Sequence, residues 1–269
     1  MRKILACLAL LLSVAAPVAG QGLINLSGNS ISITISRPGL LGTEVSLSFE
    51  DVTGLNLLSL GLSVQVVNPN DPALQARLPA GVTAALPLLL RIEPPRLGGL
   101  SFRGIATLQI HTELLQYVPG TPLRLYHAPL GGQFEDMTAF VGAGSYRCRG
   151  TTGGFSEFLI VRDTRTVDQA IAAKFDRLEE ELEEYAASIP APLYEDLEDR
   201  VAAARSDYEQ GATAAAIQKI DGFLSVVQQH SGTDIPNVWR AARDVENVAG
   251  YLRAEAMSLR FSLARKLGN

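Results

Sequence analysis

The chain has 269 residues, 47% of them hydrophobic, which is enough for one large domain or two of moderate size. Its net charge is −5 and no part of the sequence forms a basic face, which excludes the usual electrostatic basis of nucleic-acid binding. Of its two cysteines, Cys7 lies in a segment that we expect to be removed. Cys148 then remains alone, which excludes an intrachain disulfide and a cysteine-built metal site.

Residues 1–20 have the layout of a secretory signal peptide. A basic pair precedes an apolar run over residues 4–16, and small residues follow this run. The run is shorter than the roughly 20 residues that a membrane-spanning helix needs. We therefore predict cleavage near Ala19 or Gly20 and a periplasmic or secreted mature chain, with an uncleaved anchor as the alternative.

The rest of the chain is expected to contain no transmembrane helix. Its most apolar stretch, residues 82–92, is too short to span a bilayer. Pro87 interrupts this stretch and Arg91 adds a charge to it. The mature fold must therefore be held together by packing, without a membrane anchor or a disulfide.

Residues 21–163 are predicted to form an antiparallel β-sandwich. Apolar and β-branched residues recur at every second position, in short runs separated by turns that contain proline and glycine. No helical periodicity intervenes between the runs, so we expect sheets packed face to face. The candidate strands are residues 31–35, 45–49, 60–67, 88–93, 104–111, 123–126, 145–149 and 155–161.

Residues 164–269 show the three- and four-residue spacing of amphipathic helices instead. A helix with one apolar stripe is marginal alone, so the stripes are expected to face one another in an antiparallel bundle of about four helices. The predicted fold class is therefore α+β with two modules, a β-sandwich followed by a helical bundle. The short connection near residues 162–166 suggests that the two modules sit close together.

Capping residues mark the predicted ends of these helices. Gly211 is expected to end the second helix, and residues 231–232 are expected to end the third. Thr233 or Asp234 can cap a fourth helix, and Pro236 suits its first turn.

From residue 88 onward, the first module resembles the ZU5-like sandwich of bacterial surface proteins and some eukaryotic scaffolds. The resemblance implies a β-sandwich. Some relatives cut themselves between the Phe and Ser of a His-Phe-Ser turn. Here Gly154 stands in the place of the histidine, so the group that would activate Ser156 is missing and self-cleavage is not expected. The matching stretches are Leu-Leu-Arg-Ile-Glu-Pro at 89–94, Leu-Ser-Phe at 100–102, Ala-Thr-Leu-Gln-Ile at 106–110, Leu-Arg-Leu-Tyr at 123–126, the aromatic Phe134, and Gly-Phe-Ser-Glu-Phe at 154–158.

The second module is similar to the FIMAH-like helical bundles that are appended to exported bacterial proteins. The similarity lies in residues 197–227, above all in Ala-Ala-Ala-Ile-Gln-Lys-Ile-Asp-Gly-Phe at 214–223. Such modules imply attachment or spacing and not catalysis. The whole layout is also similar to exported bacterial proteins of unknown function.

Residue types that often carry catalysis or bind metals do not combine into a motif. His111, His127 and His230 are far apart in sequence, so we expect surface or strand-end positions for them and no zinc site. Ser156 lacks the second glycine of a hydrolase elbow, because Phe158 occupies that position. We therefore predict no catalytic, cofactor-binding or metal-binding residue and no cofactor.

Two segments that contain acidic residues have ordinary structural explanations. The glutamates of residues 179–184 are expected to form a solvated helix face, and residues 68–72 are expected to form a turn without calcium. Glu135 and Asp136 are ambiguous. A carboxylate pair for glycoside hydrolysis cannot be assigned, because the separation of its members depends on the fold.

Trp239 and Cys148 each have a structural and a functional interpretation. Trp239 lies beside the predicted fourth apolar stripe, so packing against the other helices is expected, with a ligand platform as the alternative. Cys148 is expected to be buried and inert, with pairing between chains as the alternative. At least one of Phe155 and Phe158 should lie in the core.

The two module types without a catalytic motif suggest an exported, non-enzymatic binding or scaffolding protein of the bacterial envelope or exterior. Its expected partner is another envelope or extracellular protein, or a glycan. One alternative is a structural subunit that self-associates through the bundle or Cys148. Another is an enzyme acting on glycans or peptidoglycan, with its site in sandwich loops.

Overall fold

The computed structural model describes residues 23–36 and 38–268, so the predicted signal peptide lies outside the described residues. The described chain has an α+β fold with a sheet-rich part and a helical part, which confirms the predicted fold class. The strands are β1 (Ile24–Ser27), β2 (Ser30–Ile35), β3 (Thr43–Thr53), β4 (Leu62–Val66), β5 (Val82–Ile92), β6 (Ser101–Thr112), β7 (Leu123–Ala128), β8 (Glu135–Asp136), β9 (Thr138–Gly142), β10 (Tyr146–Thr152), β11 (Glu157–Asp163) and β12 (Val238–Arg240).

All pairings between these strands are antiparallel, and they form two sheets. The seven-stranded sheet has the order β1-β2-β3-β6-β10-β9, with β12 added beside β6. The five-stranded sheet has the order β4-β5-β11-β7-β8. Alternate residues, such as Ile31 and Ile33 of β2 and Val45 and Leu47 of β3, point into the core between the sheets. The period-two pattern therefore arises because each strand has one buried face.

Two one-turn helices interrupt the sandwich half, so the expectation of no intervening helix was wrong. They are α1 (Leu57–Leu60) and α2 (Pro72–Gln75). The side chain of Asn56 caps α1, and that of Asp71 caps α2 by accepting a hydrogen bond from the backbone N–H of Ala73. Segments this short have no helical period, and only their caps distinguish them from turns.

The long helices are α3 (Val167–Glu184), α4 (Ala191–Glu209), α5 (Thr213–His230) and α6 (Val248–Lys266). Helix α3 contacts α4 and α6, and α5 contacts the same two helices, so the four surround a shared apolar core. None of the helices in residues 23–36 and 38–268 combines the length and apolarity needed to cross a bilayer.

The predicted start of the fourth helix was wrong. Residues 238–240 form β12, and α6 begins only at Val248. Strand β10 pairs with β6 as far as Ala106, and β12 pairs with β6 over Ser101–Arg103. Strand β12 therefore supplies hydrogen-bond partners on the side of β6 that β10 leaves unpaired, and this tertiary pairing overrides the helical spacing.

Trp239 also lies elsewhere than predicted, in the sandwich and not among the helices. Its ring stacks on Phe102, with centroids 5.5 Å apart, and meets Phe155 edge to face at 4.8 Å. Phe155 and Phe158 both contact this sandwich core. The alternation of strand β12 aims the indole at these apolar rings, so the tryptophan joins β12 to the sheet.

The start of α6 fixes the helices to the sandwich. Asn247 accepts a hydrogen bond from the Gly250 backbone N–H at 3.0 Å, and its amide donates to the carbonyl oxygens of Gly104 and Gly153 at 2.7 and 3.0 Å. A Cβ atom on Gly153 would lie 2.4 Å from the backbone nitrogen of Tyr251, so the backbones approach closely here. Helix α6 also packs against β6, β9 and β10, which places the two parts in direct contact.

Candidate functional site at the joint between sandwich and helices

A charged cleft lies where α3 and α6 meet the edge of the five-stranded sheet. It has two adjoining compartments with volumes of about 200 and 310 Å³, whose walls share Asp136, Arg165 and Ala170. We call the smaller one the Lys174 compartment and the larger one the Arg124 compartment, after a buried cation in each wall. A groove of about 380 Å³ also lies between α3 and α4, but its ionisable side chains are exposed glutamates and one tyrosine. The cleft is the stronger candidate because buried ionisable groups converge there.

A buried ion pair lies in the wall of the Lys174 compartment. The Lys174 ammonium lies 2.8 Å from the Asp136 carboxylate and donates a hydrogen bond to the backbone oxygen of Ser258 at 3.1 Å. The Ser258 hydroxyl donates to the backbone oxygen of Asp136 at 2.8 Å. Burial lowers the pKa of Lys174, and Asp136 opposes this effect. The three residues link α3, β8 and α6.

More ionisable groups surround this pair. The Arg177 guanidinium lies 2.7 Å from the Glu181 carboxylate and 2.9 Å from that of Glu135, and Glu255 lies 3.9 Å from the His127 ring. Burial raises the pKa of Glu255 to about 8 and that of Glu181 to about 7, although Arg177 opposes both shifts. Burial also lowers the pKa of His127 to about 4, with Arg177 acting in the same direction. A neutral imidazole and two carboxyl groups that titrate near neutral pH therefore lie close to the ion pair, and of these three groups Glu255 lines the compartment.

Glu255 should make the stability of the protein fall as the pH rises. Its folded-state pKa is raised, so the folded chain binds the proton more tightly than the unfolded chain between the ordinary carboxyl range and about pH 8. We expect the free energy of unfolding at pH 9 to be at least about 1 kcal/mol lower than at pH 6.5, a Tm difference of roughly 2–4 °C. Glu255→Gln should lose most of this difference in thermal melts followed by circular dichroism.

A matched control for this prediction is Glu195→Gln on the exposed side of α4, which should keep the wild-type decrease of stability with rising pH. His127 titrates below the range from pH 6.5 to pH 9. Glu181 titrates within this range and accounts for any decrease of stability that remains in Glu255→Gln. A Glu255→Gln variant with the full wild-type slope would contradict the assignment.

The Arg124 compartment is lined by a second set of polar residues. Arg124 lies on β7, and its Nη1 donates hydrogen bonds to the backbone oxygens of Thr121, at 2.8 Å, and Leu123. Arg165 pairs with Asp163 at 2.8 Å, and both contact the Tyr126 hydroxyl. The first turn of α3 and the last turns of α6 complete the wall.

The three histidines are not brought together. The His111 ring contacts the Gly144 backbone oxygen at 2.8 Å, and His230, at the end of α5, lies 2.7 Å from the carboxylate of Asp234. His127 lies at the end of β7, which is one of the two expected kinds of position, and its ring is largely buried beside Glu255. Among the residues that the structure describes, no three His, Cys, Asp or Glu side chains are grouped as metal ligands.

The structure also places the remaining candidates. The Cys148 thiol is buried in the sandwich core, and burial raises its pKa to about 12, so it is a poor nucleophile. The Ser156 hydroxyl is buried, without a hydrogen-bond partner in the described part of the chain. The expectation of a solvated face over residues 179–184 was wrong at Glu181, which is buried and pairs with Arg177 one turn earlier on α3.

Sequence reasoning missed Lys174 and Glu255, although both stand at positions where the helical spacing predicts a buried apolar residue. Lys174 lies three residues after Ile171 and four before Leu178, and both of these aliphatic residues are buried. Glu255 stands in the same relation to Leu252 and follows it by three residues. A charged residue at a position that the helical period assigns to the core is therefore the signal that could have revealed the site.

The fold and the cleft define this protein as a β-sandwich joined to a four-helix layer, with buried charges at the joint. The chain belongs to DUF6689, a family of unknown function, whose model matches residues 6–266 and so extends over both parts of the fold. No curated protein matched the chain.

Proposed function

We propose that the protein is an exported, non-enzymatic binding protein of the bacterial envelope or exterior, which receives a charged group of its partner in the cleft. The observation that carries this proposal is the fixed position of the ionisable groups in the wall. Lys174, Asp136 and Ser258 hold one another in place from three different elements. Such a site needs little rearrangement to bind, which lowers the entropic cost of association.

The size of the cleft favours a small ligand or one group of a larger partner. Ligand pockets usually measure about 300–1,000 Å³, and the Arg124 compartment, at about 310 Å³, lies at the lower limit of this range. The mixed charges of the wall favour a polar or charged group over an apolar one. An envelope protein or a glycan with a charged substituent therefore fits the proposal.

The test is a capture experiment with the exported protein immobilised and envelope fractions applied. Wild type should retain a reproducible protein or glycan, and Arg177→Gln, which alters the wall of the Lys174 compartment, should retain at least about tenfold less, a change equivalent to roughly 1.4 kcal/mol. Arg200→Gln is the matched control, because Arg200 pairs with Asp196 on α4, away from the cleft. Equal retention by all three proteins, or no retained component together with no ligand-induced shift in Tm, would reject the proposal.

A glycan- or peptidoglycan-acting enzyme is the second candidate. Glu255, with a pKa of about 8, keeps its proton at neutral pH, as a general acid must, and Glu135 and Asp136 lie in the same compartment. This candidate ranks second because Glu255 is buried and Asp136 is occupied by Lys174, so a substrate would have to displace existing contacts. Release of reducing ends from peptidoglycan, lost in Glu255→Gln, would favour the enzyme over the binding protein.

Self-association through Cys148 is not favoured, because its thiol lies in the core between the two sheets. A disulfide between chains would require the sandwich to open.

A further inference from the structure

We infer that the Arg124 compartment is a binding site for a compact oxyanion, in the first place the phosphoryl group of a phosphomonoester. This inference deepens the proposed binding function by naming the chemical class of the ligand. It rests on a buried arginine in the wall, on the like charges gathered around that arginine and on the first turn of a long helix.

Arg124 is buried to an unusual degree for an arginine, with only 4% of its surface exposed. Its Nη1 is occupied by backbone oxygens, but Nε and Nη2 make no hydrogen bond to any described residue, and no described carboxylate lies within ion-pairing distance of it. Neither donor is among the fully enclosed polar atoms that lack a partner, and Arg124 lines the compartment. A buried guanidinium without a counterion is costly, and an anion in the compartment would compensate this cost.

Three cations surround the ring of Phe261 on α6. The guanidinium carbons of Arg124 and Arg265 each lie 6.0 Å from the ring centroid, and the Lys174 ammonium lies 5.9 Å from it. Like charges gathered in a partly buried space destabilise one another unless an anion joins them. Asp136 neutralises Lys174, but the described residues offer no such partner for Arg124 or Arg265.

The remaining charges of the wall are already paired. Asp163 is held by Arg165 at 2.8 Å, and Asp136 is held by Lys174 at 2.8 Å. The compartment therefore keeps an excess of positive charge, although Asp136 and Asp163 line it.

The first turn of α3 and one hydroxyl add donors without charge. Thr166 caps α3, and Val167 follows in the wall of the compartment, where backbone N–H groups of a first helical turn have no acceptor within the helix. Ser262 lines the compartment and is 3% exposed, and its hydroxyl makes no hydrogen bond to a described residue. Planar guanidinium donors, a helix N-terminus and a hydroxyl are a combination that suits tetrahedral oxyanions.

The volume of about 310 Å³ exceeds what a free inorganic phosphate fills, so the natural ligand should carry its phosphoryl group on a larger body. A phosphorylated sugar or a phosphate-bearing envelope glycan has this chemistry. Inorganic phosphate is nevertheless the right first probe, because it reports on the anion-binding groups alone.

The test is isothermal titration of the exported full-length mature protein with inorganic phosphate, with acetate and a neutral disaccharide as further ligands. Wild type should bind one phosphate per chain, more tightly than acetate. Arg265→Gln should weaken this binding at least about tenfold. Arg260→Gln is the matched control on the same helix, because Arg260 pairs with Asp221 away from the cleft, and it should bind as wild type.

Ser262→Ala provides a second variant that keeps all charges, and it should weaken phosphate binding about threefold or more. Absence of phosphate binding, or equal losses in Arg265→Gln and Arg260→Gln, would overturn the inference. A different result would reject the proposed binding function, namely equal retention of envelope components by wild type and Arg177→Gln. Binding of acetate as tight as that of phosphate would also overturn the assignment to tetrahedral oxyanions.

Discussion

Replacing Lys174 with methionine should lower the free energy of unfolding by about 3–5 kcal/mol. The substitution preserves most of the side-chain volume but leaves the Asp136 carboxylate buried without a counterion. It also removes the hydrogen bond to the Ser258 backbone oxygen that joins α3 to α6. Urea denaturation followed by circular dichroism would measure this loss as a lower midpoint with an unchanged slope.

A double variant separates the loss of the ion pair from the loss of packing. Lys174→Met combined with Asp136→Asn removes both charges, and the asparagine oxygen can still accept the hydrogen bond from the Thr138 backbone N–H. We expect the double variant to recover more than half of the stability that the single variant loses. If the single variant lost less than about 1 kcal/mol, the Asp136 carboxylate would have to be hydrated, and the ion pair would not stabilise the contact between α3 and β8.

Glu157→Leu should cost about 3 kcal/mol or more, because Glu157 is the shared partner of two arginines inside the five-stranded sheet. Its carboxylate lies 2.5 Å from a guanidinium nitrogen of Arg77 and 2.5 Å from one of Arg91, and the Gly131 backbone N–H also donates to it at 3.3 Å. The loss should lie near the lower end of the range expected for Lys174→Met, because the two arginines are partly exposed and can be hydrated. Denaturant unfolding at pH 7 measures it directly.

The pH dependence of this variant is a second readout. Burial alone would raise the pKa of Glu157, but hydrogen bonds from Arg91 and Arg77 outweigh burial and hold the pKa below its ordinary value. The contribution of Glu157 to folding stability is therefore complete at pH values above the ordinary pKa range of carboxyl groups, and it is lost as the pH falls through the lowered pKa. The difference in stability between wild type and Glu157→Leu should shrink from pH 7 to pH 3. Glu93→Leu, at an exposed position after β5, should show neither effect, and a similar loss there would rule out the ion-pair explanation.

The buried charges at the joint cost stability that an apolar interface would not cost. In the proposed anion site this cost has a function, because Arg124 and Arg265, which pair with no described carboxylate, are the groups that bind the ligand. Phosphate should then raise the melting temperature of wild type, since a ligand that binds only the folded state stabilises it.

Local sequence patterns predicted most of the architecture. The alternation of Ile31 and Ile33 in β2, and of Val45 and Leu47 in β3, identified strands because one face of each is buried. Strands β1, β8 and β9 were missed. Strand β1 is exposed along its whole length and β8 contains two residues, so neither carries a repeated apolar pattern. The candidate site was missed for another reason, since Lys174 and Glu255 look like ordinary charged residues until the elements that cover them are known.

The fold class, the change from strands to helices after Asp163 and the apolar face of each long helix follow from local sequence patterns, because these depend on neighbours along the chain. Contacts between distant segments explain why residues 238–240 form a strand, why Trp239 packs in the sandwich and why α6 begins at Val248. The tertiary structure also brought the cations and carboxylates of β7, β8, α3 and α6 into one cleft. A periodic pattern reports which face of an element is buried, but not which distant element buries it, and pairing energies between distant segments settle that choice.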